Sequence, residues 1–171
     1  MSEQFKELIN VTILLCKYYD EESVTIREIF DSIDTKDKEV SFSIVTIINT
    51  VEYTKKKFSL HYYLLNLDEN KQIYIGEEAF ENNDLNVLET DNARRRSNIS
   101  SSIKYCSQKV SGMQLSGVEF ISAGNHEILA YLFEEEDTDE ARKLVREKKF
   151  YDLQDKSKIV ASYGFKVNFV E

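Results

Sequence analysis

Proline and tryptophan are absent from this chain of 171 residues, and glycine occurs only five times. The glycines are scattered, which excludes a glycine-rich loop cradling phosphate at a helix N-terminus. Without proline the chain also lacks one common means of blunting sheet edges. The same gap, beside abundant Ile, Asn and Lys, points to an AT-rich genome such as that of a low-GC bacterium or its phage. No stretch approaches the roughly 20 consecutive apolar residues of a membrane-spanning helix. The apolar run 11–16 is short and follows Glu3, Lys6 and Glu7 rather than a basic segment, and no small-residue cleavage site follows it. The expectation is a cytoplasmic protein without a secretory signal. Cys16 and Cys106 suit that compartment as buried free thiols. The sequons at Asn10 and Asn98 then carry no meaning.

Positive charge is short as well. Against 31 Asp and Glu stand 22 Lys and Arg, for a net charge of −9. That opposes nonspecific nucleic-acid binding, whose affinity comes from neutralising phosphates. It is compatible with a basic protein partner, though plain solubility is the simpler reading.

What is present is a globular composition. Hydrophobic residues make up 42%, and ten Tyr with ten Phe supply all the aromatic weight. Aromatic rings pack well on pleated surfaces. The length fits one domain, residues 1–171, large enough to bury a core without staples. Period-two alternation runs through the chain. Residues 159–169 place Ile159, Ala161, Tyr163, Phe165, Val167 and Phe169 on one face, with Gly164 marking a bulge or a close approach. Phe42, Ile44, Thr46 and Ile48 share another face. Phe58, Leu60, Tyr62 and Leu64 oppose Ser59, His61, Tyr63 and Leu65. Asp68, Glu69 and Asn70 suit a tight turn before a strand at 72–76. Residues 117–133 hold two strands joined at Gly124 and Asn125, which tolerate positive φ. Two segments depart from this pattern. Residues 81–102 read as a long polar loop. Residues 138–150, within an insertion 137–152, read as a surface helix with Asp137 and Glu140 as a capping box and Ala141, Leu144 and Val145 as its apolar stripe.

The N-terminal third reads two ways. Phe5, Leu8, Ile9, Ile13 and Cys16 have helical spacing, as do Ile26, Ile29, Phe30 and Ile33, and Ser23 would serve as an N-cap between two helices of a helix-turn-helix. No basic recognition helix follows, however. The stretch is acidic through Asp20, Glu21, Glu22, Glu28, Asp31 and Asp34, and its β-branched residues favour strands. Strands are the reading adopted.

The segments 13–33, 42–50, 57–73, 117–132 and 158–170 together resemble a group of bacterial single-domain β-sandwich proteins of unknown function. That group shows a Cys-containing opening strand, a strand ending near Ile-Phe-Asp, a strand pair with an Asp-x-Asp-Gly turn, and a closing strand ending in Phe-x-Val. The chain departs from it at Leu67-Asp68-Glu69-Asn70, at 123–128 and in the inserted helix. The resemblance implies a fold and brings no activity with it. The fold expected is mainly β: an antiparallel immunoglobulin-like or C2-like sandwich with one inserted surface helix.

Motifs for chemistry are scarce. His61 is expected to point outward from a strand and His126 to sit in a turn, and neither has metal-ligand spacing. Cys16 with His126 as a nucleophile pair weighs less than Cys16 as core. Arg94, Arg95 and Arg96 form the most pointed cluster, able to grip phosphate or carboxylates, or simply to balance Glu89 and Asp91. The acidic run opening at Glu134, Glu135 and Glu136 either mimics phosphate toward a basic partner or decorates a helix start. Tyr63, Tyr74 and Tyr131, read as outward, suit an interface. No catalytic, cofactor or metal residues are assigned. The reading is a non-catalytic, intracellular protein-interaction or scaffolding module with a protein partner or a second copy engaged at an edge strand, and with neither nucleic acid nor membrane. The alternatives are a small acidic phage-type inhibitor of a basic nucleic-acid-handling protein, then a helix-turn-helix regulator.

Overall fold

The computed structural model describes residues 9–50, 58–80, 86–87, 107–134 and 159–171. Among them ten strands form two five-stranded sheets that enclose an apolar layer, a β-sandwich. The strands are β1 (Ile9–Asp20), β2 (Thr25–Ile29), β3 (Ser32–Thr35), β4 (Glu39–Thr50), β5 (Phe58–Asn66), β6 (Lys71–Phe80), β7 (Asn86–Val87), β8 (Ser107–Glu119), β9 (Gly124–Glu134) and β10 (Ile159–Phe169). The first sheet has the order β2-β1-β4-β8-β7 and the second β3-β10-β9-β5-β6. Pairings are antiparallel except that of β3 with β10, which is parallel.

The alternation of the sequence builds the core. In β1, Ile9, Val11, Ile13 and Leu15 turn inward while Asn10 and Thr12 face solvent. Phe58, Leu60, Tyr62 and Leu64 of β5 meet Phe42, Ile44 and Ile48 of β4 in one cluster, joined by Phe120, Ile128, Leu132, Phe165 and Val167. Non-directional burial of this kind is the main force holding two sheets face to face.

No helix occurs among the described residues, and residues 9–35 form three strands joined by a turn at 21–24 and a short crossover at 30–31. The helix-turn-helix reading is thereby overturned. Ile29 lies more than half exposed and Ile33 is buried in β3, so the helical spacing of these residues gathers no common face. Between them the chain crosses from one sheet to the other. Phe30 packs edge-on against Phe42, with centroids 6.1 Å apart. The Tyr163 hydroxyl of β10 donates to the Phe30 carbonyl at 2.9 Å. The helix expected at 138–150, and the whole insertion 137–152, lie outside the described residues, as does all but β7 of the loop 81–102.

Of the two turns expected, the one at Asp68, Glu69 and Asn70 is present and the other is not. At the β5–β6 turn the Asn66 side-chain oxygen accepts the amides of Asp68 and Glu69, both at 3.0 Å, and Asn70 takes a left-handed φ of 53°. Gly124 and Asn125 do not connect a hairpin. They open β9, whose predecessor β8 lies in the opposite sheet. Gly124 has φ 127°, and a Cβ there would collide with the Asp68 carboxylate. Asp68 also accepts the Asn125 amide at 2.9 Å. Gly164 makes no close approach, and the irregularity of β10 falls between Ile159 and Ala161 instead.

Candidate functional site

The β1–β2 hairpin carries an exposed apolar surface. Antiparallel register pairs Cys16 with Ile29, Tyr18 with Arg27, Tyr19 with Ile26 and Asp20 with Thr25. Cross-strand partners share a face, so Tyr18, Arg27 and Ile29 stand together. Tyr18 and Ile29 are each more than half exposed, and so is Val24 at the hairpin tip. The same hairpin carries Asp20, Glu21, Glu22 and Glu28, and the cations Lys17 and Arg27. Lys17 pairs with Glu28 at 3.2 Å, with both side chains in solvent. Val24 and Glu28 hold left-handed φ values of 49° and 55°, a conformation unusual for any non-glycine residue and most costly for a β-branched one. The Asp20 carboxylate accepts the Glu22 amide at 3.0 Å and shapes the turn. Hydrogen bonding to Ser23 holds Asp20 below the ordinary carboxylate range. On the opposite face Tyr19 anchors the hairpin: its ring covers Gly112 of β8, where any Cβ would strike it. The Tyr19 hydroxyl is buried and has no hydrogen-bond partner among the described residues.

The side chains with chemical potential are buried elsewhere. Cys16 is fully buried, and burial raises its thiol, the opposite of an activated nucleophile. His61 is not outward-facing in solvent but fully buried. Its Nε2 lies 3.1 Å from Ser59 Oγ and 3.6 Å from Glu77, and its Nδ1 lies 3.4 Å from the Tyr74 hydroxyl. The Ser59 hydroxyl and the Glu77 carboxylate face the same nitrogen, whereas a serine triad needs them on opposite ones. His126 is a strand residue rather than a turn residue. It is buried against Phe120 and Phe165, with centroids at 5.2 and 5.7 Å, and its Nδ1 is 3.1 Å from the Gly124 carbonyl. No group of three His, Cys, Asp or Glu among the described residues is placed to hold a metal ion.

One polar network crosses the core. The Tyr62 hydroxyl donates to Glu78 Oε2 at 2.7 Å and lies 2.7 Å from Thr46 Oγ1. The Ser111 hydroxyl donates to the same carboxylate oxygen at 3.2 Å. Burial raises Glu78 above the ordinary glutamate value, against the lowering effect of Tyr62, Ser111 and Lys109.

The tyrosines singled out in the sequence lie on the expected face and are not open. Tyr63 and Tyr131 are buried and Tyr74 half-buried on the far side of the second sheet. Their rings pack on one another at 5.4 and 5.1 Å in a second apolar cluster with Leu129 and Phe133. Alternation reports which side of a strand a residue takes and is silent on whether that side is covered. Arg94, Arg95, Arg96, Glu135 and Glu136 lie outside the described residues. Glu134 ends β9, and its side chain is not described. Tyr18, Val24, Ile29 and Glu78 were not singled out. A signal existed for Glu78, because it shares the parity of Gly76 and Phe80, which continues the inward face of the strand.

No protein-family model matches the sequence, and no curated protein matches it. Solved structures show distant likeness. A mutant β-glucosidase from Listeria innocua in complex with laminaribiose is similar over 94% of this chain, at 7% identity and a TM-score of 0.46. This chain spans only 16% of that enzyme. A CARDB domain from Pyrococcus furiosus in complex with di-metal ions is similar over 93% of this chain and 91% of its own, at 9% identity and a TM-score of 0.41. An alkylpurine DNA glycosylase from Pseudomonas fluorescens, bound to DNA containing an abasic site analog, is similar over 98% of this chain and 33% of its own, at 7% identity and a TM-score of 0.41. Among the described residues no helix is long and apolar enough to cross a membrane.

Proposed function

We propose that this chain is a non-catalytic, immunoglobulin-like interaction module of the cell interior, which binds a protein partner through the exposed side of its β1–β2 hairpin. The observation that carries the reading is the trio Tyr18, Val24 and Ile29, three large apolar side chains in solvent on one hairpin that also carries four carboxylates against the two cations Lys17 and Arg27. Exposed apolar groups framed by charge characterise binding surfaces. The carboxylates select a partner with basic residues around its own apolar contact. An acidic inhibitor of a basic nucleic-acid-handling protein falls within this reading as its most specialised form.

Strand order supports the immunoglobulin-like assignment over a C2-like one. The order β1-β4-β8-β7 facing β10-β9-β5, with β6 added at the edge, follows the arrangement of immunoglobulin sandwiches, as does a β3 that switches sheets to pair with the last strand.

A second copy is the less supported partner. The described outer strands β2, β3 and β7 have five, four and two residues. The longer β6 is interrupted by a bulge, opposite Tyr62 and Tyr63, and carries the inward-facing Glu78. Short, bulged or inwardly charged edges resist pairing.

The test is capture from host lysate by the wild type, by a Tyr18→Ser, Ile29→Ser variant and by an Ile121→Ser control, which removes an exposed apolar residue from the connection between β8 and β9. The same protein should be retained by wild type and control and lost from the double variant. Equal retention by all three would refute the hairpin surface.

A further inference from the structure

A groove of about 460 Å³ lies along the β1–β2 hairpin, and most of the polar side chains lining it are already engaged. Lys17 is held by Glu28 at 3.2 Å. Asp20 accepts the turn amides of Glu22 and Ser23, at 3.0 and 3.4 Å. The Ser23 hydroxyl donates to Thr25 Oγ1 at 2.7 Å, and the Thr25 hydroxyl turns back to the Ser23 carbonyl at 3.4 Å. Two lining residues are left. Tyr18 and Arg27 are direct cross-strand partners, and neither the Tyr18 hydroxyl nor the Arg27 guanidinium makes a hydrogen bond or ion pair among the described residues. The Arg27 charge reaches Asp20 only as the smallest of the effects on that carboxylate, behind the hydrogen bonds of Ser23.

We propose that Tyr18 and Arg27 are the centre of the hairpin's binding surface and seat a carboxylate of the protein partner, on an extended segment with a large apolar residue two places from the acid. The inference rests on the reading that the hairpin is the binding surface, and it names what that surface recognises. Side chains directly opposite in an antiparallel pair lie about 5 Å apart, so one group can meet both. The guanidinium offers only donors and the phenol has a proton to give. Their common complement is an anionic acceptor, and arginine takes a carboxylate with two parallel hydrogen bonds. Tyr and Arg are also the residue types that dominate binding energy at interfaces.

The other groups of the groove select among anions. Lys17 and Arg27 are balanced there by Asp20 and Glu28. A singly charged carboxylate is tolerated in that setting, whereas a phosphoryl group, with a charge of about −2, meets two acids with one uncommitted cation. The apolar residue follows from spacing. Ile29 is two residues from Arg27, on the same face, and more than half exposed. Alternate residues of a strand repeat at about 6.6 Å, and an extended partner presents its side chains at that same interval. Basic residues of the partner then fall outside this centre, against Glu21 and Glu22 of the turn.

The test is selection of displayed random peptides on the full-length wild-type protein, keeping clones whose binding is lost on the Tyr18→Ser, Ile29→Ser variant. The clones kept should share an Asp or Glu with a large apolar residue two places away. Changing that acid to its amide should weaken binding to wild type about tenfold or more, and should have little effect on binding to Arg27→Gln, as expected when the two groups act on each other. Phosphoserine in place of the acid should bind more weakly. Hairpin-dependent clones without an acid, an acid whose removal costs the same in wild type and Arg27→Gln, or equal or tighter binding of phosphoserine would each overturn the carboxylate seat and leave the hairpin surface standing. A selection that returns no hairpin-dependent clone would overturn the hairpin surface, and the carboxylate seat with it.

Discussion

Phe165 and Lys166 are neighbours in β10 with opposite fates, one buried and the other exposed. Phe165→Asp places a charge among Phe120, His126 and the core, and should cost ~3 kcal/mol or more in denaturant unfolding. Lys166→Glu should change stability by less than about 0.5 kcal/mol. Equal, small effects would contradict a half-buried strand. Gly112 is decided by close approach, because the Tyr19 ring occupies the space a side chain would need. Gly112→Ala should cost about 1–3 kcal/mol through overpacking, and it should free the hairpin, seen as faster exchange of the β2 amides. Cys16 should resist thiol reagents until the protein unfolds, because it is buried and its thiol is raised. Fast labelling of Cys16 in the native state would contradict that.

At the scale of elements, the hairpin is where the chain departs furthest from regular strand. Val24 sits at φ 49° at an exposed tip. Asparagine accepts that conformation more readily, so Val24→Asn should stabilise by about 1 kcal/mol while weakening capture of a partner that contacts the Val24 side chain. A stability loss would show that Val24 is held by packing rather than strained. Strands were legible in the sequence because burial of one face forces period two, as in β1, β4, β5 and β10. Pairing was not legible. β4 hydrogen-bonds β8, more than fifty residues away, through partners such as Thr46 and Ser111, and nothing local encodes that choice. The covering of the second sheet's far face was equally hidden, so Tyr63, Tyr131 and His61 looked like surface residues. The hairpin was masked by a coincidence: Ile26, Ile29 and Ile33 have helical spacing but lie on two different sheets.

For the whole molecule, net charge is the simplest determinant of partner class. At −9, the protein should show no salt-sensitive association with duplex DNA near physiological ionic strength. Binding that weakens steeply with added salt would contradict this, with Arg94, Arg95 and Arg96 as the first residues to replace. The candidate surface itself was only half legible. Its acids were visible as a run from Asp20 to Glu28, but the exposure of Tyr18 and Ile29 depends on the crossover at Phe30, which removes β2 from the core before the chain enters the second sheet. The proposed binding site is this hairpin rather than β6 or the tyrosine-bearing face. It is tested most directly by the amide-exchange footprint of the captured partner. New protection should fall on residues 17–29, with β6 and the far face of the second sheet unchanged. Protection concentrated on β6, or around Tyr63 and Tyr131, would contradict it.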